Sequence, residues 1–444
     1  MGKIFGTDGV RGIANTELSC ELAMKIGRAA ATVLTEHNSG RPRIVIGRDT
    51  RISGEMLENA LVAGICSMGA DVEILGVVPT PAIAYLVEKY SADAGVMISA
   101  SHNPMEFNGI KLFSKDGYKL SDEIENEIED LIEKNSKPVI TGKDIGRIYH
   151  NTAAVSDYIQ YLKTTVKNDL SGIKAAVDCA NGSASATARD LFAELGVNAH
   201  IINDIPDGKN INLNCGSTHM EQLIEYVKTH KCDLGIAFDG DADRCLAVDE
   251  KGNFIDGDQL MGIFAKNMKK AGKLKDNTVV VTVMSNLGFF HYAEREEIKT
   301  ATTKVGDRYV LDEMLDKGYN LGGEQSGHII FSQYAKTGDG QLCAVQLLNL
   351  IKEYNMPFSE IVKDVKRYPQ VLLNLTVEEK SKEAILNDKN VNELIKKHEK
   401  ALGTNGRILV RASGTEPLIR VMVEGKIQEE ISIIAQEIIE EMKK

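Results

Sequence analysis

The sequence predicts three similar α/β domains followed by a smaller C-terminal α+β domain, and two patterns carry that prediction. Strand-like and helix-like segments alternate over about the first 350 residues, the order expected of parallel-sheet α/β units. Within the alternation one arrangement recurs three times: a helix, a short apolar strand and a polar loop of unusual composition. A chain of 444 residues also exceeds one ordinary domain, so several compact units are expected.

Residues 43–47 (RIVIG) read as a buried strand, 54–69 are apolar at helical spacing, and 71–75 (DVEIL) are strand again. The recurring arrangement first spans helix 84–90, strand 96–98 and loop 99–104. It returns as helix 223–229, strand 236–238 and loop 239–244, then as helix 312–317, residues 319–322 and loop 323–328. After the first loop, 109–113 should form a hairpin whose two-residue turn is Asp116-Gly117. In the tail, 371–376, 407–411 and 418–423 read as strands, and 390–402 and 429–442 as helices. The expected domains are 1–153 with a serine loop, 154–255 with an acidic loop, 256–369 with a Gly-rich loop, and 370–444.

Composition narrows the function. Hydrophobic content of 43% with charged residues at 26% describes a globular protein with real cores. A net charge of −12 argues against nucleic acid, whose phosphate backbone needs a basic footprint. It leaves room for phosphate-bearing small molecules, which need only a few local cations. Seven dispersed cysteines without a CxxC pair read as reduced thiols. With no secretory or membrane segment in view, a cytoplasmic protein without a membrane partner is expected.

Ligands of open α/β sheets sit beyond the carboxyl ends of strands, so the loops are where chemistry is expected. Loop 99–104 (SASHNP) sets Ser101 on a turn that Pro104 stiffens, displaying an exposed hydroxyl as a nucleophile or phosphate carrier requires. His102 and Asn103 stand beside it. Loop 239–244 (DGDADR) spaces Asp239, Asp241 and Asp243 by two, and small Gly240 and Ala242 let the three carboxylates converge. Such crowding is costly unless a cation offsets it, and hard oxygen ligands select Mg²⁺ or Ca²⁺. An EF-hand would place Glu250 at its twelfth position, but Arg244 stands where its sixth needs glycine. Loop 322–328 (GGEQSGH) offers Glu324 and Ser326 to sugar hydroxyls. In 411–420, Ser413, Thr415 and the backbone around Gly414 form an anion nest flanked by Arg411 and Arg420. Taken singly, each loop also fits a plain polar, acidic or Gly-rich turn, or a hairpin with surface arginines.

Together and in this order, the four loops resemble the α-D-phosphohexomutase superfamily, from residue 5 to residue 424. Residues 5–12 (FGTDGVRG), 99–104, 323–326 (GEQS) and 411–420 look most like its bacterial branch acting on glucosamine phosphate. The resemblance implies four domains around a central cleft. It implies a phosphorylated Ser101 flanked by His102. One Mg²⁺ per chain would lie on Asp239, Asp241 and Asp243, with an oxygen of phosphorylated Ser101 as a further ligand. Glu324 and Ser326 would contact sugar hydroxyls, and Arg411, Ser413, Gly414, Thr415 and Arg420 would hold the distal phosphate. Arg11, Lys111 and Arg244 would surround the transferred phosphoryl group, with His328 or Lys111 as general acid/base.

The activity so implied is an isomerase reaction between glucosamine 6-phosphate and glucosamine 1-phosphate, in UDP-N-acetylglucosamine synthesis. Glucosamine 1,6-bisphosphate would be its intermediate and activator. Residues 304–308 (KVGDR) lack the histidine that often follows the glycine in hexose-type members, which favours the glucosamine branch. A phosphoglucose or phosphomannose mutase would share every loop. A non-catalytic phosphosugar-binding regulator would need neither Ser101 nor the three aspartates. A homodimer is an assembly this reading allows.

Overall fold

The computed structural model describes residues 4–6, 8–35, 40–134, 140–378, 381–413 and 417–444. The chain divides into two compact units, one of residues 1–284 with 298–363, the other of 285–297 with 364–444.

Among the described residues, the first unit holds three sheets. The first has seven strands in the order Phe5–Gly6, Gly9–Ile13, Phe107–Ser114, Ala94–Ile98, Arg43–Arg48, Asp71–Val77 and Ile148–His150. Its helices Cys20–Thr35 and Gly54–Ser67 bury Ala23, Ile26 and Ala30 against Leu57, Leu61 and Ile65, the spacing of one helical face. The second sheet runs Phe254–Ile255, Cys245–Asp249, Leu234–Phe238, Lys174–Asp178, Asn198–Ile202. The third runs Lys299–Thr303, Thr278–Thr282, Leu321–Gly323, Ile329–Phe331. Ala94–Ile98, Leu234–Phe238 and Thr278–Thr282 are buried at every position, as their continuous apolar runs require.

The threefold recurrence is real, but the sheets are mixed where parallel ones were expected. In each unit of the repeat the strand before the loop pairs antiparallel with the strand after it, as Ile98↔Ile110, Phe238↔Cys245 and Gly323↔Ile329. Loops this short cannot make the crossover that parallel pairing demands, so the chain must fold back. Each loop is thereby pinned at both ends to neighbouring strands.

The expected two-residue hairpin at Asp116-Gly117 is not formed. The Ser114 N–H donates to the Tyr118 carbonyl at 2.8 Å, and Gly117 takes a left-handed φ of 73°. The loop is therefore one residue longer, with glycine at the left-handed position such loops favour. The returning chain makes a lone bridge, Phe113↔Lys119.

The second unit is built on the antiparallel sheet Gln370–Thr376, Leu418–Gly425, Gly406–Ala412. Helix Gln428–Met442 buries Ile431, Ile434, Ala435, Ile438, Ile439 and Met442, an i, i+3, i+4 stripe, in one cluster with Ile419, Val421 and Val423. Residues 285–297, with helix Leu287–Arg295, belong to this unit although they lie in sequence between two strands of the third sheet. Asn286 and Glu424 tie them in, by a hydrogen bond of 3.1 Å.

Ile438 is fully buried in that stripe. Ile438→Ala should cost about 2–5 kcal/mol, as large-to-small core changes do. Urea unfolding of the full chain, followed by circular dichroism, checks it. A loss well below that range would mean that the helix is not packed as described.

Candidate active site

Ser101 lies in the loop after Ala94–Ile98, but its hydroxyl is not exposed as the sequence suggested. The residue is 1% accessible. Its φ of 51° puts a non-glycine residue in the left-handed region, a strained turn that must be held from outside. Arg51 does the holding. Its guanidinium donates to the carbonyls of Ser101 at 2.9 Å and Asn103 at 2.8 Å, and to that of Pro104. Asp49 fixes Arg51 through an ion pair of 2.9 Å with both side chains fully buried, and accepts from the Ser99 hydroxyl at 2.6 Å. The Ser99 oxygen in turn accepts the Ser101 N–H at 2.9 Å.

The acidic loop roofs this turn. A Cβ at Gly240 would come within 2.5 Å of the Ser101 carbonyl oxygen, so only glycine permits the approach. The Ser101 hydroxyl donates to Asp239 at 2.6 Å. One carboxylate oxygen each of Asp239, Asp241 and Asp243 lies within 4.8 Å of the others, and all three residues are buried. Burial, then repulsion from Asp243 and Asp241, pushes the Asp239 carboxyl well above its ordinary range. Burial pushes Asp241 up as well, but the Lys111 ammonium and a 2.5 Å hydrogen bond from the Thr80 hydroxyl win, and its pKa falls.

Among the described residues, the buried oxygens Asp241 Oδ1 and Asp243 Oδ1 have no hydrogen-bond partner. Orphaned, all-oxygen and anionic, this donor set fits a hard divalent cation such as Mg²⁺.

Cations close in from the first and second sheets. Lys111 Nζ, 1% accessible as a side chain, sits 2.7 Å from Asp241, 3.1 Å from Asp8 and 3.5 Å from Asp243. Burial opposes its charge, but the three carboxylates outweigh it and raise the pKa, so Lys111 stays an ammonium. Arg11 pairs with Asp8. Arg244 reaches His102 Nδ1 at 3.0 Å, and His102 Nδ1 lies 3.4 Å from the Ser101 hydroxyl. Burial, with Arg244 and Arg11 nearby, lowers His102 to about 4, so its ring is neutral at neutral pH.

Glu324, Ser326 and His328 lie in and just after the loop following Leu321–Gly323. Glu324 accepts the Gly306 N–H at 3.1 Å, and burial raises its pKa despite His328. Among the described residues, the buried Ser326 hydroxyl and both His328 ring nitrogens have no hydrogen-bond partner. In the second unit, Arg411 and Arg420 face each other in strand register. Burial and then the charge of Arg420 depress the Arg411 pKa, the environment of an anion site. Lys382 adds a third cation there, donating to the Ser413 carbonyl at 2.9 Å. Gly414 and Thr415 lie outside the described residues.

Sequence reasoning missed Arg51, Asp49, Thr80, Asp8, Lys119 and Lys382. Only Asp8, inside the run 5–12, had been quoted at all.

A buried serine hydroxyl bonded into an acidic loop that fits a hard cation, with fixed positive charge beside it, is an arrangement suited to phosphoryl chemistry. The four domain models of the phosphoglucomutase/phosphomannomutase family match residues 2–139, 156–252, 256–368 and 372–441. The chain belongs to that family, whose members are isomerases of the mutase type. It is 58% identical over 438 residues to the phosphoglucosamine mutase of Clostridium botulinum (strain Loch Maree / Type A3), covering 98% of this chain and 97% of that one. It is 55% identical over 446 residues to that of Clostridium tetani (strain Massachusetts / E88), covering 100% and 99%. A phosphoglucomutase/phosphomannomutase family protein of Burkholderia thailandensis shares the fold, with a TM-score of 0.81 at 22% identity, over 99% and 98% of the two chains. So does Aspergillus fumigatus N-acetylphosphoglucosamine mutase, solved with GlcNAc-6P and magnesium, with a TM-score of 0.70 at 19% identity, over 98% and 94%.

Arg51→Ala would strand the buried Asp49 carboxylate and release three carbonyls of the serine loop. The expected loss is about 3–5 kcal/mol, the usual result of breaking a buried pair. The double variant Asp49→Leu/Arg51→Met should recover part of the stability without recovering activity. Chemical denaturation and turnover, measured side by side, check both statements.

Proposed function

We propose that the chain interconverts glucosamine 6-phosphate and glucosamine 1-phosphate through a phosphoryl group carried by Ser101. The Ser101 hydroxyl bonded to Asp239, inside the acidic triad and beside Lys111, is the observation that carries this reading. The sugar rests on the phosphoglucosamine mutases 55–58% identical to the whole chain.

Asp239, Asp241 and Asp243 would hold Mg²⁺, together with an oxygen of the phosphorylated serine. The ion supplies charge neutralisation at the phosphoryl group. Lys111, Arg11 and Arg244 face the same region with fixed positive charge, placed for oxygens that gain charge during transfer. A sugar hydroxyl oxygen bonds to the phosphorus of phospho-Ser101 as the Oγ–P bond breaks, and the hydroxyl proton is passed on to Ser101 Oγ. The product is glucosamine 1,6-bisphosphate. The second half runs in reverse from the other phosphate, so phosphoryl groups and protons balance over the cycle.

Lys111 is held as an ammonium by three carboxylates, which suits it to charge compensation and not to proton transfer. His328, whose ring nitrogens make no hydrogen bond among the described residues, is the better carrier for the proton. Glu324 and Ser326 take the sugar hydroxyls. Arg411, Ser413 and Arg420, with Gly414 and Thr415, take the phosphate that is not reacting, since phosphate is nearly symmetric and suits either sugar orientation.

Among the described residues no helix is long and apolar enough to cross a membrane. The same reading makes the protein cytoplasmic, with a small phosphosugar as its partner. Sedimentation would test for a homodimer.

Ser101→Ala should abolish turnover, and intact-mass measurement of the wild type should show one serine-borne phosphoryl group that the variant lacks. Near-normal activity in Ser101→Ala would end the proposal. Asp241→Asn should weaken Mg²⁺ by at least the roughly 10- to 100-fold that loss of an outer-shell partner costs. Titration of activity against Mg²⁺ after chelation reads this directly, and full activity in excess chelator would refute the metal role.

A further inference from the structure

A cavity of about 280 Å³ opens beside His328, with Lys119, Asp122, Asp307, Arg308 and Thr337 in its wall. Neither the metal loop nor the serine loop contributes to it. The wall is acidic, since Asp122, Glu123, Asp307 and Asp312 outnumber Lys119 and Arg308. Both cations are already engaged. Arg308 pairs with Asp122 at 2.7 Å and Glu125 at 3.3 Å, and Lys119 bridges Asp8 and Asp307. What the cavity offers a ligand is therefore acceptor capacity.

Asp307 is the centre of that capacity. It occupies the first position of helix Asp307–Lys317, and its side chain keeps 16% accessibility although it is ion-paired. Among the described residues its only hydrogen bond is to Lys119 Nζ, and one carboxylate oxygen is left for another donor. Burial works against its charge, but Lys119 and then His328 hold its pKa down, so it presents a carboxylate at neutral pH. His328 Nε2 stands 3.7 Å away, and that ring is 3% accessible with neither nitrogen hydrogen-bonded among the described residues. A buried, unengaged imidazole beside a half-used carboxylate marks a place where a ligand completes the bonding.

The position matches the sugar. Gly306, which precedes Asp307, donates its N–H to Glu324 at 3.1 Å, so the Asp307 turn is fastened to the loop assigned to the sugar hydroxyls. We propose that Asp307 is the specificity-determining residue for the amino sugar, its carboxylate accepting from the protonated amine at carbon 2. This rests on the glucosamine phosphate reading given above. A hydroxyl at carbon 2 would bring only a neutral donor to the carboxylate oxygen that Lys119 leaves open, whereas the ammonium brings charged donors to Asp307 and to the Thr337 hydroxyl. Lys119 acts as a positioning residue that keeps Asp307 charged and prevents it from closing on His328.

The test compares kcat/KM for glucosamine 6-phosphate and glucose 6-phosphate in the wild type and in Asp307→Asn. The ratio of the two should fall roughly 10- to 150-fold, the loss expected for one buried charge-assisted hydrogen bond. Asp307→Glu, which restores the charge, should recover part of the preference. Circular dichroism screens each variant for folding, and Asp307→Ser takes the place of Asp307→Asn should the latter not fold. Equal losses on both substrates would overturn the proposal, because they would show Asp307 merely supporting Lys119 and His328. A wild-type preference that survives intact in Asp307→Asn would overturn this assignment alone. A wild type with no preference for glucosamine phosphate would instead overturn the substrate reading on which it stands.

Discussion

Three buried carboxylates within 4.8 Å of one another are the constraint around which the rest of the first unit is arranged. Left alone, they would drive one another to take up protons, and Asp239 already shows the pressure. Lys111 relieves it at Asp241, and Asp8 adds a further carboxylate 3.1 Å from the same ammonium. Asp8 is shared with Lys119, and Lys119 with Asp307. A ladder of alternating charge, Asp241–Lys111–Asp8–Lys119–Asp307, thus runs from the loop of the second sheet, through the first sheet, to the turn fastened to the Glu324 loop. Each rung is satisfied only while its neighbours stay in place.

Such a ladder is a poor way to stabilise a fold, since desolvating each charge consumes most of the attraction gained by pairing it. The same holds for Asp49–Arg51, where two fully buried charges hold one strained turn. What these pairs provide is fixed geometry in a medium of low polarity, where oriented charge acts strongly and need not reorganise during reaction. The cost is met elsewhere, in the apolar layers of strands such as Ala94–Ile98 and Leu234–Phe238, buried at every position.

What could be read from the sequence follows from how local each signal is. The helix–strand–loop recurrence and the triad Asp239, Asp241, Asp243 are written in contiguous residues, and both appear in the structure at those residues. The burial of Ser101 was not legible, because the roof over it comes from Gly240, far along the chain. Thr80 and Lys119 carried no local signal. Their partners lie distant in sequence, Thr80 meeting Asp241 across 161 residues and Lys119 meeting Asp307 across 188. The grouping of 285–297 with the C-terminal unit was hidden for the same reason, since its ties, among them Asn286 and Leu287 to Glu424 and Asn286 to Tyr368, reach residues far along the chain. The mixed sheets, by contrast, were within reach: loops that short exclude a parallel crossover.

The proposed chemistry asks for two electrostatic services that pull in opposite directions. Transfer of a phosphoryl group needs positive charge that does not change, whereas passing a proton between a sugar hydroxyl and Ser101 needs a group that can change. A lysine beside a reacting phosphate could be asked to do both, and a raised pKa removes that option for Lys111. His102 is excluded from the other side, since with a pKa near 4 it stays neutral and serves as a neutral partner between Ser101 and Arg244. His328 lies in the loop between two strands of the third sheet, 3.7 Å from Asp307, whose charge Lys119 already balances. The ladder therefore does more than neutralise the triad. By ending on Lys119 and Asp307 it gives the carboxylate beside His328 a fixed cation of its own.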